Sequence, residues 1–528
     1  MRNRLCNHIK NLLLPCLGFS MAVGFLSALL VTAFKLAAES VIYLSNTVYA
    51  YVRSNPIWLP AIILAAAAIG LLASIIRAHT HSCRGGGIPT SVAAIRGVIS
   101  FKWITSIFIL PFSALLTFLC GLPLGTEGPC VQMGTALGDG VVKCLGTKKQ
   151  KGWRRYIMTG GASAGFSLAT ASPVTAIIFS MEELHKRFSP MLLTVASLSV
   201  IFAQIGHQIL SFFGLGSGAL FHLPTIDALD LKLLFAPLIV GAIVGVCSIL
   251  FTRFYHRINK MMRAVISKIS PKIVFPVLFA CVALVGFFFS DSLGSGHHLV
   301  ESIFSTQTIW YLIILTFLVR AIFMMISNTS GATGGIFLPN IAFGAMIGSL
   351  CAQGMIALGL IGSEQYLLMV VLGISSFLSS TSRIPITACV FAIEAMGGIN
   401  NVLPILIATI ISLLIVELSG LEDLTDTVIE ARVHSINAGK ERIVIEVPLT
   451  VKEDSFVIGK ELRDILWPTS CVVVSFDRCR ANYGNLGISA GDVLTVHYKT
   501  YKPEAAAKEF EILVGEQSDE IRKIMNPN

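Results

Sequence analysis

One carboxylate, Glu127, stands among the glycines of Gly125-Thr126-Glu127-Gly128-Pro129-Cys130-Val131-Gln132-Met133-Gly134, with apolar sequence at 104–119 and 131–142 on either side. A charged side chain at the centre of a bilayer costs roughly 2.5–3.5 kcal/mol on insertion scales, so an ionisable group in such flanks points to function. The glycines let backbone approach a ligand closely, and Pro129 suits the first turn of a helix that begins there. A helix starting inside the membrane turns its free N–H groups and positive dipole end toward the space before it, which makes an anion site. A loop glutamate facing solvent is the competing reading, and the apolar flanks speak against it. Further on, Glu182 and Glu183 place two more carboxylates inside an apolar stretch.

The elements that must hold these groups are membrane helices. Of 528 residues, 54% are hydrophobic and 13% charged, against about 25% charged in soluble domains, so the chain is a polytopic all-α membrane protein. The net charge of +9 does not indicate nucleic acid, because the basic residues gather in short segments between apolar runs. Arg2, Arg4 and Lys10 precede the first run, and Arg77 and Arg84 follow the second. Lys148, Lys149, Lys151, Arg154 and Arg155 fill one loop; Arg253, Arg257, Lys260, Arg263, Lys268 and Lys272 surround another. Such clusters mark the cytoplasmic side and contact with anionic lipid heads, so the N-terminus reads as cytoplasmic. The first apolar run, 12–34, exceeds the roughly 7–15 residues of a signal-peptide core and reads as a retained span. The 12 cysteines are scattered without a C-x-x-C pair, which indicates neither a disulfide framework nor a zinc site. His81, His185 and His207 read as interfacial or packing residues, and no cofactor or metal is expected.

Apolar segments fall at 12–34, 58–76, 101–119, 131–143, 157–170, 174–184, 190–213, 232–252, 273–290, 309–327, 335–360, 366–379, 384–397 and 401–418. Several are too short to cross ~30 Å of hydrocarbon, and broken spans are tolerated where the freed backbone lines a protein cavity. Two patterns recur in the same order. Gly125, Pro129, Gly134 and Gly138 are repeated at Gly335, Pro339, Gly344 and Gly348, and Pro173-x-Thr-Ala-x-x-Phe-x-x-Glu182 is repeated from Pro385 to Glu394. The displacements, 210 and 212 residues, are nearly equal and make duplication the best account. Glu182 has a counterpart in Glu394, so that pair reads as scaffold, capping or cross-linking the halves. Glu127 and Glu183 face Phe337 and Ala395 in the match, and these two unmatched carboxylates are the candidates for chemistry.

The domain reading is a cytoplasmic N-terminus at 1–11, a membrane domain at 12–432 with halves near 58–213 and 273–418, and a polar linker at 433–441. A small α+β cytoplasmic domain follows at 442–528. In it 443–447, 471–476 and 493–498 read as strands, 460–466 as a short helix, and Gly484, Gly487 and Gly491-Asp492 as turns.

These residues resemble the CLC family of chloride channels and chloride/proton exchangers over roughly 12–432. The resemblance rests on Gly85-Gly86-Gly87-Ile88-Pro89, Gly125-Thr126-Glu127-Gly128-Pro129, Gly335-Ile336-Phe337-Leu338-Pro339, Glu182-Glu183 and Leu424-Thr425-Asp426, in that combination. It implies a homodimer in the lipid bilayer, each subunit built of two inverted halves around its own anion pathway. Glu127 is similar to the family's gating glutamate and Glu183 to the inner proton-transfer glutamate of the exchangers. Anion binding would fall to Gly86, Gly87, Ile88, Ile336, Phe337 and Thr425, with the amides of Ile336 and Phe337 facing a central chloride or similar monovalent anion. Burial and a nearby anion both favour the protonated carboxyl, so proton uptake at Glu127 and anion admission become coupled.

The chain departs from the family pattern at three places. Gly86 stands where serine is common, Thr425 where a tyrosine is common, and Thr126 where a basic residue usually precedes the gating glutamate. Loss of the two hydroxyl contacts could loosen selectivity, weaken anion binding or uncouple the proton; alternatively, backbone N–H groups and water suffice. Pro129 argues against the fluoride-selective branch. The stretch 456–462, the 471–476 strand and Gly491-Asp492-Val493-Leu494 resemble the TrkA-C (RCK C-terminal) domain of potassium transport proteins, which dimerises and can bind a small regulatory ligand; plain dimerisation or stability is the competing role. The expected function is antiport of chloride, or a similar anion, against protons across the plasma (inner) membrane, with both termini cytoplasmic. An uncoupled anion channel is the alternative, favoured by Gly86 and Thr425 and opposed by Glu183. A potassium pathway lacks a T-V-G-Y-G filter, and an enzyme lacks H-E-x-x-H or triad spacing.

Overall fold

A computed structural model describes residues 13–515 except 81, 82, 86, 100, 148, 217, 219, 222–225, 306, 307, 437–442, 454, 469, 479–486 and 502. Gly86, the turn at Gly484, the segment 1–11 and the linker at 437–441 therefore lie outside the described residues, while the helix before that linker continues to Ile436. Nine helices among the described residues are long and apolar enough to cross a membrane.

The first half is carried by α1 (Leu14–Ser54), α2 (Leu59–His79), α3 (Ile88–Ile95), α4 (Trp103–Leu119), α5 (Glu127–Leu145), α6 (Arg154–Thr170), α7 (Pro173–Phe179) and α8 (Pro190–Phe212). The second comprises α9 (Phe235–Lys268), α10 (Pro271–Phe288), α11 (His297–Ser305), α12 (Trp310–Ser330), α13 (Phe337–Ala357), α14 (Tyr366–Ser382), α15 (Pro385–Ala395), α16 (Val402–Glu417) and α17 (Leu424–Ile436). Proline sits at the start of α7, α8, α10 and α15, where its missing N–H has no intrahelical partner to lose. The apolar run read as ending at Phe34 does not end the helix. α1 continues through Lys35 and Glu39 to Ser54, some 60 Å of helix at about 1.5 Å per residue.

The duplication is visible in packing. Gly134 on α5 meets Gly161 on α6 so closely that a Cβ on either would lie 2.0 Å from the other's carbonyl oxygen. Their counterparts, Gly344 and Gly373, bring α13 against α14 in the same way, a Cβ at Gly373 falling 2.4 Å from the Gly344 carbonyl oxygen. Ala171 (φ 54°) and Arg383 (φ 58°), 212 residues apart, are the left-handed residues that end α6 and α14.

Glu182 and Glu394 fasten the halves together. Glu182 accepts hydrogen bonds from the Ile386 and Thr387 amides at 3.0 and 2.7 Å and from the Thr387 hydroxyl at 2.7 Å, which caps α15. Glu394 accepts from the Val174 and Thr175 amides at 2.9 and 2.8 Å and from the Thr175 hydroxyl at 2.7 Å, which caps α7. A carboxylate at a helix N-terminus satisfies amides that the helix itself leaves open. Glu182→Gln keeps one acceptor but turns an NH2 toward the amides, so we expect a loss of about 3 kcal/mol from one charge-assisted bond and a stranded donor. The reading is the thermal midpoint of the detergent-solubilised protein. Glu394→Gln should fall by the same amount, and a shift in only one of them would contradict the symmetric role.

After α17 the chain forms β1 (Ile443–Thr450), β2 (Cys471–Asp477), β3 (Val493–Thr500) and α18 (Pro503–Val514). The sheet is antiparallel in the order β1-β3-β2, with Val447 opposite Val496 and Val473 opposite the same residue on the other side. The helix expected at 460–466 is a single 3-10 turn, Leu462–Asp464, closed off by Gly459 before it and Pro468 after it. The unit sits on the membrane helices through buried contacts. Phe456 meets Trp153 edge-on at 5.7 Å, Arg155 pairs with Glu509 at 2.7 Å, and the Leu466 amide donates to the Tyr156 hydroxyl at 2.9 Å.

Candidate functional site

Three glycine loops meet where α3, α5 and α13 begin. Gly125 and Gly335 form an antiparallel bridge, each amide donating to the other's carbonyl at 2.8 Å. A Cβ at Gly128 would lie 2.8 Å from Gly335 Cα and 3.1 Å from Gly87 Cα, and one at Gly87, whose φ is +118°, would lie 2.6 Å from Gly128 Cα. Only glycine permits this backbone-on-backbone approach. The Gly87 amide, assigned to anion binding by the resemblance, donates to Gln132 Oε1 at 2.7 Å and is engaged within the protein.

Beside this node lies a cavity of about 30 Å³, lined among others by Ile88, Glu183, Ile336, Phe337 and Thr425. That is room for a water or two. Five of the expected site residues thus share one space. Phe337 closes one wall with Phe166 at 5.0 Å and Phe391 at 5.4 Å, and Phe179 stacks on Phe166 at 4.3 Å. The apolar wall faces polar side chains of Asn328, Asn340, Ser382 and Thr425 in the same lining.

Glu127 opens α5 and has no exposure to solvent. Its carboxyl folds back over Gly125, where a Cβ would lie 2.3 Å from Glu127 Oε2, and comes up against Leu338. Neither oxygen has a hydrogen-bond partner of ordinary geometry, while the amides of Glu127 and Leu338 and the Thr126 hydroxyl face it. The side chain therefore lies at the N-terminal end of α13, where an anion would be drawn by the same amides.

Glu183 belongs to a π-helical turn, Ser180–His185, the kind of local widening of a helix that recurs at functional positions. It is 2% exposed, the Thr425 hydroxyl faces its carboxyl, and one of its oxygens has no partner. Thr425, expected at the anion, lines the cavity and turns its hydroxyl toward the Glu183 carboxyl. Arg96 holds the turn from below, donating to the Leu184 and Glu183 carbonyls at 3.1 and 3.2 Å and pairing with Asp426 at 3.4 Å. Lys186 pairs with Asp423 at 2.8 Å and with Asp426 at 2.5 Å. Sequence reasoning assigned no role to Arg96, Lys186, Gln132 or Asp423, and used Asp426 only as part of a motif. Arg96 and Lys186 are ordinary in sequence; their role exists only because α3, the π turn and α17 converge.

The arrangement offers an anion a ring of helix N-termini and offers a proton two buried carboxyls reached from different elements. Residues 65–417 match the family described as voltage gated chloride channel, and the chain belongs to that family. Among its relatives, the H(+)/Cl(-) exchange transporter ClcA of Vibrio vulnificus (strain YJ016) is 26% identical over 408 residues, which cover 75% of this chain and 85% of the relative. ClcA of Vibrio cholerae serotype O1 (strain M66-2) is 26% identical over 425 residues, 76% of this chain and 86% of its own. In fold, the chain matches the crystal structure of a slow cyanobacterial Cl-/H+ antiporter with a TM-score of 0.72 at 22% identity, over 80% of this chain and 99% of that one. A CLC-type fluoride/proton antiporter matches with a TM-score of 0.61 at 20% identity, over 76% and 94% of the two chains.

Proposed function

We propose that this chain is a secondary active antiporter that exchanges chloride, or a similar monovalent anion, for protons. One observation carries the reading. Two membrane-buried carboxylates approach the same stretch, 334–338, Glu127 at Leu338 and Glu183 across the cavity lined by Gly334, Gly335, Ile336 and Phe337. In this reading Glu127 competes with the anion for the α13 amides and leaves when protonated. Glu183 passes the proton to and from the cytoplasmic side. Ile88, Ile336 and Phe337 hold the anion through backbone and apolar contact, with Gly86, Gly87 and Thr425 completing the surround. The names of the Vibrio relatives support exchange rather than simple conduction.

A second reading, an uncoupled anion channel, draws on two contacts. The Gly87 amide is bound to Gln132, and the Thr425 hydroxyl faces Glu183, so the α13 backbone is left as the main donor to an anion. Reconstitution in liposomes with a chloride gradient, following chloride and pH together, separates the two. We expect uphill proton movement driven by chloride; chloride flux with no proton movement would establish the channel.

The proposal extends to the assembly and its setting. Exposed apolar side chains on α8 and α16, such as Ile201, Ile205, Leu406 and Ile410, suit a homodimer within the bilayer. The basic segments at 148–155 and 253–272 support a reading with those segments and both termini in the cytoplasm and the protein in the plasma (inner) membrane. The β1-β3-β2 unit is taken as a TrkA-C-like domain that dimerises and binds a small regulatory ligand, consistent with its docking on α6.

A further inference from the structure

The first helix carries a cation into the protein interior. Lys35 is 8% exposed, and its ammonium donates to the Leu168 carbonyl near the end of α6 at 3.1 Å. That end of α6 is pressed on the first turn of α5: a Cβ at Gly165 would lie 2.3 Å from the Cys130 carbonyl oxygen. Cys130 is one turn beyond Glu127, and the Lys35 charge acts on both of them and on Glu39. No carboxylate among the described residues lies within ion-pair distance of the ammonium.

Taking an ammonium out of water costs several kcal/mol, and one carbonyl does not offset that. A negative charge nearby would offset that cost, and an intramembrane cation of this kind marks a site by default. Two negative charges are available in turn: the ionised Glu127 carboxylate, or the anion that takes its place when Glu127 is protonated. The position before Glu127, where the family pattern leads one to expect a basic residue, is Thr126.

We propose that Lys35 is the fixed positive charge of the outer anion path, balancing ionised Glu127 in one state and the transported anion in the other. The proposal rests on the reading of Glu127 as the gate. Its consequence is that the corner keeps the same net charge through the cycle, so neither state is a deep electrostatic trap. Besides Glu127, the titratable groups that act on the Lys35 charge are Cys130 on α5 and Glu39 on α1, and His207 on α8 bonds the Thr32 hydroxyl of α1 at 3.3 Å. α4 carries no titratable side chain, and α6 meets the corner with backbone and Ser167.

The test uses full-length protein in detergent and in liposomes. Lys35→Met should weaken chloride binding, measured calorimetrically, by on the order of tenfold. It should also raise by about one unit the pH at which proton-dependent chloride flux is half maximal, because an unbalanced carboxylate takes up its proton more readily. Lys35→Arg should restore both. Lys35→Gln keeps a donor for the Leu168 carbonyl and removes only the charge. If it behaves as wild type, the lysine is a hydrogen-bonding strut and the proposal falls. With Glu127→Gln in the background, the pH shift should vanish while the weaker chloride binding remains. If Glu127→Gln alone left proton movement intact, the gate reading itself would fail. A normal Glu127→Gln result with unchanged chloride binding and pH profile in Lys35→Gln would overturn the Lys35 role alone.

Discussion

Glu127→Gln should abolish proton movement, by at least about a hundredfold, while chloride still crosses. The glutamine has the same shape and no proton to exchange, so it mimics the protonated gate permanently. The wild-type carboxyl is fully buried over Gly125, with both oxygens short of hydrogen-bond partners and the Leu338 amide in front of it. Such a group is held by the field of a helix end rather than by a fixed partner, which suits a side chain that must leave. In wild type, acidification should raise chloride flux as the carboxylate is neutralised and releases the α13 amides. In the variant the pH dependence should flatten. Paired chloride-electrode and pH recordings on liposomes provide the comparison, and proton movement that survives unchanged would disprove the gate assignment.

Glu183→Gln should reduce proton movement far more than chloride movement, again by two orders of magnitude or so. Glu183 lines the cavity together with residues of the glycine node, and beside its turn Arg96, Lys186, Asp423 and Asp426 form a chain of pairs. The Gln side chain keeps the contact with Thr425 and the fit of the π turn, so anion passage should be little changed. Equal losses of both fluxes would make Glu183 a structural residue. The neighbouring Glu182 provides an internal control: its carboxyl caps α15, so its neutralisation is expected to act on stability and not on coupling.

Much of this was legible in the sequence because the fold repeats its own steric demands. Of the residues that aligned the two halves, Gly134 and Gly138 lie where α5 meets α6, Gly344 and Gly348 lie where α13 meets α14, and a Cβ at any of them would collide with the facing helix. Gly125 and Gly335 form the bridge between the halves. The scaffold role of Glu182 and Glu394 followed from their equivalence, since a group present in both halves serves what the halves share. What could not be read was anything that depends on convergence of distant segments. Gln132 looks like one more polar residue in a helix until the Gly87 amide is found on it. Thr425 lines the cavity, and that its hydroxyl also faces Glu183 depends on the approach of α17 to the π turn. Lys35 was taken to end an apolar run, because hydropathy scores a residue without knowing what it will face. α18 did carry a signal, with Ala507, Phe510, Leu513 and Val514 at helical spacing, and all four are buried.

The bonds between the halves bear on how fast the molecule can work. Transporters made of inverted repeats often alternate by rocking one half against the other. Here the glycine bridge ties the halves at the narrowest point, and the triple bonds accepted by Glu182 and by Glu394 tie them again on either side. Rocking would break all of these together inside a medium that offers no replacement partners. In the proposed mechanism the scaffold is in effect a stator, and the travelling part is reduced to the Glu127 carboxyl arm of a few atoms. Such an arm reorients on the scale of picoseconds to nanoseconds once it is free. The clock of the proposed cycle would be set by how often a proton arrives through Glu183, and turnover would follow proton supply and not the mechanics of the protein.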